Sequence, residues 1–130
     1  MVAGIVVTHG SLGDELLRTA GLIIGDVAHC VAVSNEGKTP KAVCAEIESV
    51  IESLDGIPCM VFIDFVGGSC SFATLSVERT DGGLSILSGV NLPMILAFLN
   101  KRDKVSFEEL PDAVLERSQE SLQILDPSKI

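Results

Sequence analysis

The chain has 130 residues, of which 47% are hydrophobic and 4% aromatic, and a formal net charge of −9. This length fits a single domain (residues 1–130) with a core of its own. The apolar composition favours a sheet of Val, Ile and Leu covered by helices. The acidic balance, without any basic stripe, argues against a nucleic-acid partner, because binding to phosphates requires clustered Lys and Arg.

The sequence has no segment typical of a membrane-spanning helix or a secretory signal. Its longest apolar runs, such as Pro58 to Val66, are strand-sized and shorter than the roughly 20 residues that span a bilayer. We therefore expect no direct membrane insertion and a cytoplasmic location. The four cysteines show no Cys-x-x-Cys spacing, so we expect no metal site.

Short β-branched segments alternate with amphipathic segments along the chain. This rhythm predicts an α/β fold, a doubly wound three-layer sandwich around a mainly parallel sheet. The predicted strands are Val2 to Thr8, Ala28 to Val33, Cys59 to Asp64 and Leu84 to Ser88. The third strand is apolar on both faces, which places it in the centre of the sheet.

Five helices are predicted to accompany these strands. Their starts are marked by Leu12, Thr39-Pro40, the residues after Ser69, Asn91-Leu92-Pro93 and Pro111. Gly25 is expected to end the first helix, and Asp81-Gly82-Gly83 breaks the chain before the fourth strand. Pro111 lacks the N–H needed for one continuous helix from Ser106, so the last helix is predicted from Pro111 to about Leu125.

The first two helices carry apolar residues at helical spacing, and we expect these stripes to be buried. In the first helix the stripe consists of Leu12, Leu16, Leu17, Ala20 and Ile24. In the second it consists of Val43, Ile47, Val50, Ile51 and Leu54.

Ligands of open α/β sheets bind beyond the carboxyl ends of the strands, and three predicted strand ends carry distinctive residues. They are Thr8-His9-Gly10-Ser11, Asp64 with Gly67-Gly68-Ser69, and Gly89-Val90-Asn91. His9 offers a nucleophilic or acid–base imidazole, and Asp64 can accept a hydrogen bond that fixes its tautomer. The glycines allow close backbone approach, and the helix after Ser69 presents N–H groups to an anion. This combination suits an imidazole that receives a phosphoryl group.

Structural interpretations of the same residues stay open. His9 can be a polar loop residue, Asp64 can cap the following turn, and Gly67-Gly68 can form a tight turn. The second histidine, His29, lies in an apolar run before Cys30, where a buried structural role is favoured.

Two other chemistries compete with phosphoryl uptake. Cys70 lies at a predicted helix N-terminus, where the helix dipole lowers a thiol pKa, so a Cys–His pair with His9 is a candidate nucleophile. A serine-hydrolase elbow is weaker, because the stretch from Gly67 to Ser71 lacks the second glycine of Gly-x-Ser-x-Gly. The sequence has no Gly-x-x-x-x-Gly-Lys-Ser/Thr motif, so direct use of ATP is not expected.

Three segments in order carry a family resemblance: IVVTHGSLGDELLRTA, FIDFVGGSCSFAT and ILSGVNLPMILAFL. Together they resemble the mannose-type enzyme IIA domain of the bacterial phosphoenolpyruvate-dependent sugar phosphotransferase system. The last segment is similar to the signature Gly-Val-Asn-[Ile/Leu]-Pro-Met of that family. A dihydroxyacetone-kinase phosphocarrier subunit is a related alternative, although GGSCS and GVNLPM look more like the mannose type.

The resemblance implies a parallel sheet in strand order 2-1-3-4, a homodimer and a phosphotransferase activity without metal or nucleotide cofactor. It implies that His9 accepts a phosphoryl group from the phosphocarrier protein HPr and passes it to a histidine of a IIB protein. Asp64 would hydrogen-bond the ring and Ser69 would hold the phosphoryl oxygens. The expected phosphate-binding residues are Gly10, Ser11, Gly67, Gly68 and Asn91.

The sequence departs from the family pattern beside this site. Cys70 and Ser71 stand where relatives commonly have Pro-Phe, and Val66 stands where tryptophan can occur. These changes bear on partner choice more than on the chemistry. The chain ends soon after Asp126-Pro127, so a free-standing IIA protein without a fused IIB domain is expected. It would act in sugar uptake beside a membrane IIC/IID complex or, alternatively, as a regulatory module whose partner reads its phosphorylation state.

Overall fold

The structure is a computed structural model that describes residues 1–78 and 83–129. Within these residues it has the strands β1 (Ala3–Thr8), β2 (Cys30–Ser34), β3 (Cys59–Ile63) and β4 (Leu84–Ser88). The α-helices are α1 (Leu12–Ile24), α2 (Pro40–Ser53), α3 (Ser69–Leu75), α4 (Leu92–Lys101) and α5 (Leu110–Glu120), and a short 3₁₀ helix covers Pro127–Lys129.

The four strands form one parallel sheet in the order β2-β1-β3-β4. Every residue of β1 and β3 is buried, and these two strands occupy the centre of the sheet, as the two-sided apolar pattern of β3 predicts. Because Val7 of β1 pairs with Ile63 of β3, the chain leaves both strands side by side at one edge. The predicted α/β fold class and strand order are confirmed.

Helices cover both faces of the sheet, which gives the three predicted layers. On one face, Ile5 of β1 belongs to a buried cluster with Ile47 of α2 and residues of α3. On the other face, Phe62 of β3 belongs to a cluster formed with α1, α4 and α5. There Phe62 meets Phe98 of α4 edge to face, with ring centroids 5.1 Å apart, a favourable aromatic geometry.

The start of α2 and the end of α1 lie where Thr39-Pro40 and Gly25 predict them. Thr39 Oγ1 accepts the N–H of Ala42 at 3.1 Å, and Pro40 begins α2, where its missing N–H costs no hydrogen bond. Gly25 ends α1 with φ +95°. The α2 stripe is buried or packed against the core, whereas Leu12, the first residue of the α1 stripe, is 46% exposed.

His29 is not the buried structural residue that the sequence predicted. Strand β2 begins at Cys30, two residues after its predicted start. His29 therefore lies in the preceding turn, with an exposed side chain and φ +60°. Its carbonyl accepts the N–H of Gly4 at 3.0 Å. The turn therefore uses the backbone of His29 and leaves the imidazole in solvent.

The last helix is shorter than predicted, because α5 ends at Glu120. The apolar side chains beyond it, Leu122, Ile124 and Leu125, are between 67% and 102% exposed, so no packed face extends the helix. The start at Leu110, beside Pro111, agrees with the prediction. Of the predicted chain break at Asp81-Gly82-Gly83, Asp81 and Gly82 lie outside the described residues.

Among the described residues, none of the helices has the length and apolarity needed to cross a membrane.

Candidate functional site

The site lies at the carboxyl edge of the sheet, between the ends of β1 and β3. His9 follows β1 and Asp64 follows β3, and the parallel register of Val7 with Ile63 places the two side by side. The first and third strand ends singled out in the sequence therefore meet in one place, as the rule for open α/β sheets predicts.

Asp64 holds His9 through both the backbone and the ring. Its Oδ2 accepts the backbone N–H of His9 at 2.9 Å and lies 2.7 Å from Nδ1 of the imidazole. Its Oδ1 accepts the N–H of Phe65 at 3.0 Å. Partial burial raises the pKa of Asp64, but these hydrogen bonds outweigh it and hold the pKa below its ordinary value. Asp64 is therefore ionised at neutral pH.

The ionised carboxylate determines which tautomer of His9 is present. Because a carboxylate only accepts hydrogen bonds, Nδ1 carries the proton and donates it to Asp64 Oδ2. Nε2 of the neutral ring then keeps its lone pair. The side chain of His9 is 40% exposed and that of Asp64 is 10% exposed, so a reaction partner can reach the imidazole while the carboxylate stays covered.

Phe65 and Gly68 fix the plane of the imidazole. The ring of Phe65 stacks on it, with centroids 5.0 Å apart and an interplanar angle of 18°. A Cβ atom on residue 68 would lie 2.8 Å from Phe65 Cζ and 3.1 Å from His9 Cε1. Since φ of Gly68 is −92°, which any residue adopts, the close approach of the two rings is what requires glycine here.

Ser69 and Asn35 form a polar chain beside Nε2. Ser69 Oγ lies 3.5 Å from His9 Nε2 and accepts a hydrogen bond from Asn35 Nδ2 at 3.2 Å. Asn35 Oδ1 in turn accepts the N–H of Gly10 at 3.3 Å. Because Ser69 Oγ accepts from Asn35, its own proton can be donated to Nε2 or to a group bound there.

Asn35 and Phe65 are site residues that the sequence motifs did not predict, and of the two Asn35 contacts the polar groups of the site. It directly follows β2, and β2 is the other neighbour of β1 in the sheet. The stretch Ser34-Asn35 contains neither a histidine nor a glycine pair, so it carries no conspicuous motif. The rule that ligands lie beyond strand ends also covers β2, and it places Asn35 at the same edge as His9.

Four of the predicted phosphate-binding residues lie in the two loops around His9. Gly10 and Ser11 lead into α1, a helix of 13 residues whose N-terminus carries partial positive charge that favours an anion. Gly67, with φ +97°, turns the chain between Asp64 and Gly68.

Asn91, the fifth predicted phosphate-binding residue, caps a helix in this structure. Its Oδ1 accepts the N–H of Met94 at 2.9 Å and the hydroxyl of Ser118 at 3.2 Å. These bonds tie the start of α4 to α5. A contact between Asn91 and a phosphoryl group stays a prediction.

Cys70 does not supply the activated thiolate that the sequence suggested. Its side chain is fully buried, with Sγ 3.7 Å from His9 Nδ1. Burial raises the pKa of Cys70, the charge of Asp64 raises it further, and a hydrogen bond with Ser69 only partly opposes them. The predicted lowering of the thiol pKa is wrong, because burial and the charge of Asp64 both raise it. The thiol is protonated at neutral pH.

Comparisons with known proteins agree on one family. Residues 4–115 match the family model described as "PTS system fructose IIA component", PTS being the sugar phosphotransferase system. The chain is 27% identical over 131 residues to the fructose-specific EIIA component of Bacillus subtilis (strain 168), covering 95% of this chain and 86% of that protein. It is 26% identical over 127 residues to the mannose-specific EIIAB component of Escherichia coli (strain K12), covering 95% of this chain and 39% of that longer protein.

A solved structure supports the same relationship. The crystal structure of a phosphotransferase system component EIIA from Streptococcus agalactiae matches with a TM-score of 0.86 and 29% sequence identity, and the match covers 100% of both chains.

The fold and the site define an α/β protein with an oriented histidine at the carboxyl edge of a parallel sheet. Since the family model covers most of the sequence, the chain belongs to the EIIA family of the sugar phosphotransferase system. The resemblance found in its three sequence motifs is confirmed.

Proposed function

We propose that this protein is a phosphoryl carrier in which His9 accepts a phosphoryl group from phosphorylated HPr and passes it to a histidine of a IIB protein. The observation that carries the proposal is the 2.7 Å contact between His9 Nδ1 and the ionised carboxylate of Asp64. This contact leaves the lone pair of Nε2 as the nucleophile, on a ring that a protein partner can reach.

The transfer needs no proton to leave the imidazole. Nε2 attacks the phosphorus atom, a new Nε2–P bond forms, and the P–N bond to the donor breaks, returning its electron pair to the donor imidazole. The ring of His9 gains positive charge in this step, and Asp64 stabilises that charge through the Nδ1–H bond. The second transfer reverses these roles, with His9 as the leaving group and the IIB histidine as the nucleophile.

Ser69, with the loop before α1, is proposed to hold the phosphoryl oxygens. The Ser69 hydroxyl lies 3.5 Å from Nε2, and Gly10 and Ser11 lead into the positive end of α1. Positioning and charge stabilisation of this kind are the main requirements of a loose phosphoryl-transfer transition state.

The surface around His9 supports a protein as donor and acceptor. The loop after Asp64 and the outer face of α3 expose Phe65, Val66, Phe72 and Leu75, each between 51% and 71% accessible. Exposed apolar patches of this kind mark protein interaction sites. HPr and IIB are the proposed occupants, and an association with a membrane IIC/IID complex through IIB stays a prediction.

Incubation with phosphoenolpyruvate, enzyme I and HPr tests the proposal. The protein is expected to become labelled with an acid-labile, base-stable phosphoryl group, only when HPr is present, and to lose the label to an added IIB protein. Absence of HPr-dependent labelling would contradict the carrier role. Stable binding of the labelled protein to IIB without transfer would contradict the second step and indicate a regulatory role.

Replacing Asn35 is expected to slow phosphoryl uptake through the orientation of Ser69. We expect Asn35→Ala to lower the rate by roughly tenfold. Asn35→Asp is expected to lower the rate more. The carboxylate would accept a hydrogen bond from the Ser69 hydroxyl, which is then not free to contact the phosphoryl group, and its negative charge would repel that group. Rapid-quench labelling measures both rates, with Asn100→Ala, an exposed substitution near the end of α4, as the control. Equal rates for the aspartate variant and the wild type would contradict this role.

Replacing Gly68 by alanine is expected to displace the imidazole. The added Cβ lies within 3.1 Å of atoms in both Phe65 and His9. Phe65 is 51% exposed and can swing outward, so we expect little change in the free energy of unfolding but an uptake rate lowered by about ten- to a hundredfold. Gly21→Ala, whose Cβ meets nothing closer than 3.8 Å, is the matched control. Wild-type uptake by Gly68→Ala would argue against a strict ring geometry.

A homodimer, implied by the resemblance, is the proposed assembly. Leu122, Ile124 and Leu125 expose apolar surface after α5, which a second copy can cover. Light scattering is expected to give twice the monomer mass for the wild type. A variant with serine at all three positions is expected to have the monomer mass. Serine at Leu22 and Ile23, which are exposed on α1, is the control. A wild type of monomer mass would contradict the proposal.

A further inference from the structure

Three side chains with metal-binding atoms converge at the carboxyl edge of the sheet. His9, Asp64 and Cys70 each offer one ligand atom, and these atoms all lie within 4.8 Å of one another. His9 Nδ1 lies 2.7 Å from Asp64 Oδ2 and 3.7 Å from Cys70 Sγ. His9 follows β1, more than fifty residues before Asp64, which follows β3, and Cys70 lies six residues after Asp64 in the first turn of α3. Cysteine spacing alone, the basis for expecting no metal site, does not reveal such a cluster.

The distances fit a tetrahedral ion with small adjustments. Zinc binds sulfur at about 2.3 Å and nitrogen or oxygen at about 2.0–2.2 Å, so its ligand atoms lie roughly 3.4–3.6 Å apart. Nδ1 and Sγ, 3.7 Å apart, are already near this separation. Nδ1 and Oδ2 must move apart by under about 1 Å. The carboxylate oxygen and Sγ, which lie within 4.8 Å of each other, must approach by at most about 1.2 Å. The imidazole is 40% exposed and stacks on Phe65, which is itself 51% exposed and can swing outward with it. The ring can therefore make this movement once its stacking partner moves.

We propose that His9, Asp64 and Cys70 form a Zn²⁺ site with its fourth position open to solvent. One thiolate and one carboxylate neutralise the double positive charge of the ion, and the imidazole completes a nitrogen, oxygen and sulfur set. Thiolate and imidazole ligands select zinc over magnesium or calcium, which prefer several oxygen ligands. On binding, the thiol proton passes to solvent, and the imidazole proton leaves Nδ1 and is taken up at Nε2.

This proton shift gives the site a regulatory consequence, which rests on the proposed function. A metal-bound ring with hydrogen on Nε2 has no lone pair there for an incoming phosphorus atom. Zinc and the phosphoryl group therefore exclude each other at His9. Cys70, which stands where relatives commonly have proline, makes this a property of the present sequence.

Calorimetric titration of the reduced, metal-free protein with Zn²⁺, without any phosphoryl donor, tests the site. One ion per chain is expected to bind, and Cys70→Ser is expected to weaken the affinity by at least about tenfold. Cys44→Ser, on α2 and outside the cluster, is expected to bind like the wild type. Because Cys70 is buried, circular dichroism checks the fold of the variant. A second measurement uses only the wild type: Co²⁺ added to it is expected to give a thiolate charge-transfer absorption band.

Absence of zinc binding by the wild type, or equal affinity in Cys70→Ser, would overturn the metal site. The rate of phosphoryl uptake is then measured separately. For each protein, the rate with zinc is compared with the rate without zinc. At a zinc concentration about ten times the measured Kd, zinc is expected to slow the wild type and Cys44→Ser by about tenfold and Cys70→Ser much less. A wild type that takes up no phosphoryl group even without zinc would overturn the proposed function, while the titration still decides the metal site.

Discussion

Replacing His9 by glutamine is expected to abolish phosphoryl uptake from phosphorylated HPr, by more than about 10³-fold in rate. Glutamine can occupy the space of the imidazole, but its amide nitrogen has no lone pair available for attack on phosphorus. The measurement is the initial rate of labelling with radioactive phosphoenolpyruvate in the presence of enzyme I and HPr.

The second histidine provides the matched control. His29 lies at the amino-terminal edge of the sheet, immediately before β2, and its side chain is exposed. Asparagine is the suitable substitute because it tolerates the positive φ of this residue. His29→Asn is expected to label at the wild-type rate. Persistent labelling of His9→Gln would show that another residue accepts the phosphoryl group.

Replacing Asp64 by asparagine is expected to lower the uptake rate by about 10²- to 10⁴-fold while leaving the imidazole in place. The neutral amide does not fix the proton on Nδ1, so the tautomer with a lone pair on Nε2 loses its preference. It also provides no negative charge to stabilise the charged ring during transfer. Rapid-quench labelling measures the rate, and thermal unfolding shows whether the variant keeps its fold.

Asp103→Asn is the control for the loss of one negative charge from the chain. Asp103 is exposed beyond the end of α4, away from His9, and its replacement is expected to leave the uptake rate unchanged. An Asp64→Asn variant that labels as fast as this control would refute the role assigned to the 2.7 Å contact. A loss shared equally by both variants would instead point to an effect of net charge on HPr docking.

The fold follows closely from local patterns in the sequence. The two-sided apolar pattern of β3 places it in the centre of the sheet. The predicted starts of α2 at Thr39-Pro40 and of α4 at Asn91-Leu92-Pro93 agree with the structure, where Thr39 and Asn91 cap the two helices. Where the sequence pattern predicts the wrong helix end, the packing of the side chains explains the difference. After Glu120 the apolar side chains find no core, so α5 stops although the sequence still contains leucine and isoleucine.

The site is less completely encoded in local motifs. His9 and Asp64 stand out because His9 follows the first predicted strand and Asp64 ends the third, and the parallel register then brings them together. Asn35 does not stand out, because its importance comes only from the distance of its amide to Ser69 and Gly10. The state of Cys70 likewise depends on burial and on the charge of Asp64, neither of which the helix pattern contains.

The most direct test of the central claim is identification of the phosphorylated atom. The wild type, labelled by phosphorylated HPr, would be analysed by phosphorus and nitrogen NMR at alkaline pH, where phosphohistidine is stable. The contact between Nδ1 and Asp64 predicts a single phosphoryl group on Nε2 of His9. A phosphoryl group on Nδ1 of His9, or on Ser69, Cys70 or any other residue, would contradict it.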